Sequence, residues 1–169
     1  MRAEVLTIGD ELLRGEIVDS NKAFLSDRLL GLDIETRFHA SVRDDPADMT
    51  DAFLRAASRS DVVLVSGGLG RAHVLDAAAL ETIRAFFASV GREMTENNAS
   101  QARFPEGAEV LPNPIGTAPG FVLDVERTLF FCLPGVPREM MRMVDEQVLP
   151  RIAARIGGGR GAVRATLLR

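Results

Sequence analysis

The stretch VLVSGGLGRAHVLDAAALETI, residues 63–83, decides how this chain is read. Together with Asp61 and Val62 it opens on DVVLVSGG (61–68), a continuous β-branched run of the kind expected for a strand buried on both faces of a parallel sheet. Residues 67–70 then hold three glycines, and Leu80, Ile83, Phe87 and Val90 recur at helical spacing beyond them. Strand, glycine turn and helix make one βα unit. Asp76 stands where the helix begins, a favoured N-cap residue that accepts a hydrogen bond from a free N–H of the first turn.

Two similar units precede it. AEVLTI (3–8) ends at Gly9 and leads to NKAFLSDRLLGL, in which Leu25, Leu29 and Leu32 share a helical face that Ser20 or Asn21 can cap. IETRFHASV (34–42) alternates as a strand with one wet face. The following DDPADMTDAFLRAASRS places Met49, Ala52, Phe53, Ala56 and Ala57 on one helical stripe. Such alternation predicts right-handed crossovers, a parallel sheet covered by helices, and ligands beyond the carboxyl ends of the strands. The second half predicts three short strands, AEVLPN, GFVLDVE and RTLFFCLPG, with a turn at Asp124 to Arg127 and an antiparallel edge. A closing helix follows, with Val136, Met140, Met143, Val144 and Val148 inward and Pro150 kinking or dividing it. The expected organisation is one domain over 1–156. GGGRG (157–161) then reads as a linker, and 157–169 as that linker with the start of a shortened further segment.

Composition narrows the function classes. The 169 residues carry a net charge of −4, and their arginines are scattered, so no stripe exists to track a nucleic-acid backbone. Lys22, the sole lysine, reads as a solvated charge on a first helical turn. No apolar run approaches the ~18–20 residues of a membrane span, and MRAEVLTIGDELL lacks the pattern of a secretory signal, so a soluble cytoplasmic protein is expected. Cys132 is the single cysteine and reads as a small buried hydrophobe.

Four loops could carry chemistry. The glycines at 67–70 leave backbone N–H groups open to an anion at the head of a helix. The loop lacks a P-loop's Lys-Ser/Thr ending, and His73 takes the third glycine position of the dinucleotide fingerprint, which weakens a dehydrogenase reading. Gly9, Asp10 and Glu11 share the same strand edge, and the carboxylates Asp10, Glu11 and Asp76 would suit magnesium. PNPIGTAPGF (112–121) and LPGVPREM (133–140) are rigid proline-glycine corners that suit a preformed pocket.

Taken together, TIGDELLRGEIVDSN, VSGGLG, NNASQARFPEGAEVLPNPIGTAPGF and FFCLPGVPREM resemble the molybdopterin-binding fold of MogA and MoaB, in the version found in the CinA competence/damage-inducible family. The resemblance runs over nearly the entire chain. It implies a three-layer α/β/α sandwich with a mostly parallel mixed sheet, often homo-oligomeric. It further implies molybdopterin or a phosphorylated nucleotide as ligand and, in CinA-type domains, divalent-metal-dependent ADP-ribose pyrophosphatase activity. Nicotinamide-nucleotide amidase activity belongs to a separate C-terminal domain of that family and is not assigned here. Carried onto this sequence, Gly67, Gly68, Leu69 and Gly70 would cradle phosphate, with Gly9 and Arg71 beside them. Asn113, Pro114, Gly116, Thr117, Ala118, Pro119, Gly120, Pro134, Gly135, Val136 and Pro137 would wall the pocket. Asp76 and Asp10 would be the catalytic or metal-binding carboxylates. The sequence departs from the family where GGLG is usually followed by Pro-Thr and a pair of acids. Here Arg71 to Leu75 precede the lone Asp76, which leaves a non-catalytic binding or assembly module as the alternative.

Overall fold

The structure is a computed structural model that describes residues 1–69 and 74–157; Gly70, Arg71, Ala72, His73 and the segment 158–169 lie outside the described residues. Its main sheet has six strands: β1 (Ala3–Ile8), β2 (Thr36–Val42), β3 (Val62–Ser66), β6 (Glu109–Leu111), β7 (Gly120–Val125) and β8 (Thr128–Leu133). They lie in the order β2-β1-β3-β8-β7-β6. The first four are mutually parallel, and β7 and β6 form the expected antiparallel edge, entered through a tight turn at Glu126.

Strict alternation along β3 explains the layers. Val62 and Leu64 face one side with Val5, Phe131 and Leu133, against α2 (Ser20–Leu30) through Leu25 and Leu29. The same side carries the closing helix through Met140, Met143, Val144, Val148 and Ile152. Val63 and Val65 face the other side with Leu6, Phe130 and Cys132. There Ala52 and Ala56 of α3 (Pro46–Arg59) and Ala79 and Ile83 of α4 (Ala77–Ser89) cover them. Phe53 of α3 stacks on Phe130 with ring centroids 5.3 Å apart. A sheet buried on both faces needs apolar residues at consecutive positions, which is what DVVLVS supplies.

The caps and the proline follow local chemistry. Asp45 caps α3 ahead of Pro46, whose absent N–H costs nothing at a helix start. The closing helix divides into α6 (Pro137–Met143), a π turn (Val144–Val148) and α7 (Leu149–Gly157), so the wider turn falls just ahead of Pro150. Four expectations are corrected. The cap of α2 is Asp19, which accepts from the Lys22 N–H, and neither Ser20 nor Asn21. Lys22 is largely buried, its Nζ 3.2 Å from Asp19 and donating to Ser41 Oγ at 2.7 Å. Val136 stands before α6 and is half exposed, as is Val90, which terminates α4. Three small elements have no counterpart in the sequence reading: α1 (Asp10–Leu13), α5 (Glu96–Ser100), and the miniature sheet of β4 (Val74–Leu75) with β5 (Arg103–Phe104).

Candidate functional site

The strand order locates the ligand edge. From β1 the chain runs outward to β2, then returns to place β3 on the other side of β1, so the carboxyl ends of β1 and β3 flank a topological switch point, where open α/β sheets bind ligands. Gly67 and Gly68 turn there, with φ of 95° and 69°. A Cβ at Gly67 would sit 2.3 Å from the Ile8 carbonyl oxygen, so the turn is pressed onto the end of β1 and tolerates no side chain. The Gly67 N–H is committed to the Leu133 carbonyl at 3.0 Å. An anion cradle therefore starts at Gly68 and Leu69. Gly67, Gly68 and Leu69, with Ile8, line an 850 Å³ cleft also walled by Met49, Phe53, Phe121 and Phe130.

A second, small pocket of 90 Å³ lies between Thr7 and Ser66, under Glu11, Ile17, Val18 and Pro137. Its floor is a hydrogen-bonded tie across three elements. Asn21 Nδ2 donates to Ser66 Oγ at 2.9 Å and to the Gly135 carbonyl at 2.8 Å, and Ser66 Oγ donates to the Pro134 carbonyl. This tie fastens the loop after β8 to the loop after β3, where a Cβ on Gly135 would lie 3.6 Å from the Gly67 Cα. Behind it, Thr7 Oγ1 donates to Asp19 at 2.7 Å. Burial alone would raise the Asp19 carboxyl, but hydrogen bonds from Thr7 and Lys22 outweigh it and hold the group below its usual range.

Asp76 lies in a third place. Its Oδ1 accepts from the Ala79 N–H at 2.7 Å, so it does cap α4, and its own N–H donates to the Ala102 carbonyl. It lines a 420 Å³ cleft together with Thr82, Phe86, Asn113, Pro114, Gly116, Thr117 and Pro119. That wall is held by Asn113, whose Oδ1 accepts from the N–H groups of Ile115 and Gly116. Its Nδ2 donates to the Ala118 carbonyl and to Glu139 Oε2 at 2.6 Å. Gly120 begins β7, where a Cβ would meet the Cys132 carbonyl.

The structure thus brings Asp76 to the Asn113–Pro119 wall, and it brings Gly67 and Gly68 to Gly135. Asp10 has other company: Gly9 is extended, and Asp10 stands 3.6 Å from Arg14 and 3.9 Å from Arg43. Among the described residues no three His, Cys, Asp or Glu side chains gather as metal ligands. With Asp10 beside two arginines and Asp76 engaged in a cap, these carboxylates do not form a donor set that fits a divalent cation. Asn21, Ser66 and Glu139 are the residues the sequence reading missed. The signal for the first was a side chain capable of donating twice, within DSN at the ligand edge.

Comparison with known proteins agrees with this architecture. The family model described as "Probable molybdopterin binding domain" matches residues 4–154. The CinA-like protein of Anaeromyxobacter sp. strain Fw109-5 is 42% identical over 93% of this chain, and a putative competence-damage inducible protein of Acetivibrio thermocellus is 36% identical over 93%. In both cases the chain spans 42% of the relative's length. Among solved structures, the CinA protein of Thermoplasma acidophilum superposes with a TM-score of 0.80 at 30% identity, covering 90% of this chain and 97% of that one. MoaB of Thermus thermophilus shares the fold, with a TM-score of 0.59 at 22% identity over 93% of this chain and 96% of its own. Among the described residues no helix is long and apolar enough to cross a membrane. The chain belongs to the molybdopterin-binding domain family, and within it to the CinA-like proteins.

Proposed function

We propose that this domain binds a phosphorylated nucleotide or pterin at the β1/β3 switch point, with phosphate on the backbone of Gly68 and Leu69 and an apolar ring in the adjoining cleft. The observation that carries this reading is the glycine turn. Gly67 is pressed so closely onto Ile8 that the loop stays bare of side chain where an anion would approach. The family's molybdopterin-binding character supports the ligand class.

A second reading, hydrolysis of the ADP-ribose diphosphate to AMP and ribose 5-phosphate, is favoured by the position of Asp76 on the 420 Å³ cleft. One carboxylate oxygen caps the helix, and the other would orient a water toward phosphorus. The test is to incubate the protein with ADP-ribose, with and without magnesium, manganese or cobalt, while following AMP and measuring binding by calorimetry. Binding without AMP release supports the ligand-binding reading alone. AMP release abolished by Asp76→Asn, with affinity retained, supports hydrolysis, because Asn caps a helix as well as Asp does. Absence of binding to ADP-ribose and to a pterin phosphate refutes both.

A further inference from the structure

One face of the sheet is incompletely covered. Ala52 and Ala56 of α3 and Ala79 and Ile83 of α4 pack on it, yet the 850 Å³ cleft opens beside α3. α3 lines this cleft through Met49, Phe53 and Leu54, and β7 lines it through Phe121, Leu123 and Val125, the last two only partly buried. Leu54 is 66% exposed. Val74 of β4 lines the cleft too. β4 and β5 pair over two residues each, a ribbon too short to be stable without cover, and Val74 and Leu75 are both half exposed. Among the eighteen described residues that line the cleft, only Glu106 is charged. An apolar, charge-poor recess bordered by exposed aliphatic side chains has the anatomy of an interface core.

The CinA-like relatives carry more chain over the same stretch. The match to the Anaeromyxobacter protein runs over 173 residues but takes up 93% of this chain, or 157 of its 169 residues, so sixteen positions have no counterpart here. A further CinA-like relative leaves the same deficit, 183 residues against 99% of this chain, or 167. Sixteen residues are enough for a helix ~24 Å long. The departure from the family pattern falls at Arg71 to Asp76, and Leu69 and Val74 of the cleft wall lie at that stretch.

We propose that a second copy of this chain closes the cleft, in a two-fold dimer in which Leu54 of one protomer enters the apolar recess of its partner and the reverse. The partner is argued from self-complementarity: Leu54, Val74 and the recess lie on one face, and a two-fold contact uses each of them twice. The eighteen lining residues, with Leu75, approach the ~20–30 residues a side of a stable interface. The inference goes beyond ligand binding and does not depend on it. A cleft of 850 Å³ is large enough for a whole drug-sized ligand, so a single ring beside Gly68 leaves room for the partner's side chains.

The test is the mass of the full chain in solution, by light scattering and by sedimentation over a dilution series. The expected mass is twice 18.3 kDa. Leu54→Glu places a carboxylate in the apolar contact on both sides of the two-fold axis and should weaken the dimer about 100-fold or more. Leu30→Glu is the control, 63% exposed on α2 and so on the opposite face of the sheet, and should stay dimeric. A monomeric wild type overturns the proposal, as does a dimer that both variants keep or both lose, or association that does not stop at two copies. Should Leu54→Glu fail to fold, amide exchange of the wild type decides. On dilution, exchange should rise in α3 and β7 and stay constant in α2; no rise, or a rise confined to α2, overturns the proposal. A monomer that binds ADP-ribose refutes this inference alone. A dimer of the expected behaviour that binds neither ADP-ribose nor a pterin phosphate supports it while the ligand reading falls.

Discussion

Replacing Gly67 by alanine separates two costs that usually arrive together. At φ 95° an L-residue is held in left-handed backbone, worth ~1–2 kcal/mol, while loss of glycine's freedom in the unfolded chain returns ~0.4–1 kcal/mol. Gly91, at φ 68° and with nothing within 4 Å of an added methyl, feels only this pair of effects, so Gly91→Ala should cost about 1 kcal/mol. At Gly67 the methyl also meets the Ile8 carbonyl oxygen at 2.3 Å. That oxygen belongs to β1, which is paired on both sides with β2 and β3 and cannot retreat. An overpacking cost near the upper end of ~1–3 kcal/mol applies, for a total of about 3–4 kcal/mol. Urea unfolding of the two variants and wild type measures the difference, and in a chain of this size the melting temperature should fall by roughly 6–16 °C for Gly67→Ala. Equal destabilisation of the two variants, to within about 0.5 kcal/mol, would refute the claim that the turn is pressed against β1.

Two further outcomes are expected. Arg59→Ala removes the paired hydrogen bonds at 3.0 and 2.6 Å from Glu4, whose side chain is 1% exposed, and leaves that carboxylate with Ser60 alone. The loss in urea unfolding should be about 2 kcal/mol, below the full cost of breaking a buried pair because Arg59 itself is 39% exposed; a loss indistinguishable from zero contradicts it. Stability should also depend on pH in two steps. Burial, then the charge of Lys22, lowers the His39 imidazole below 6.5, so the unfolded chain takes the proton first and stability falls as pH drops below about 6.5. The lowered carboxyls of Asp19 and Asp61 contribute stability that is present above about 4 and lost as pH falls further. His39→Gln should erase the first step and keep the second in melting curves taken from pH 8 to 3.

The βα alternation was readable because each strand between helical layers needs apolar residues on both faces, and DVVLVS can satisfy nothing else in this context. Asp76 as a cap was readable for the same local reason. The errors occur where a side chain's partner is distant in sequence. Lys22 reads as a surface charge until β2 brings Ser41 beside it, and Asp19 wins the cap of α2 with Thr7 of β1 holding its second oxygen. The two-residue strands β4 and β5 have no periodicity to detect. Motif reading placed Gly67, Asp10, Asp76 and Asn113 on one ligand edge, yet it could not distribute them among separate clefts. That division depends on strand order, which no single loop encodes.

The π turn before Pro150 absorbs one residue more than an α turn would. An α-helix advances about 100° per residue, so regular α winding through Val144–Val148 with every residue kept would swing α7 around its axis by roughly that angle. Ile152, now 1% exposed, would leave the interior. Arg151 and Arg155 would turn away from Glu109 and Asp124, their ion-pair partners on β6 and β7. One widened turn thus keys the last helix to the antiparallel edge of the sheet, and that fit is written in the count of residues rather than in their chemistry.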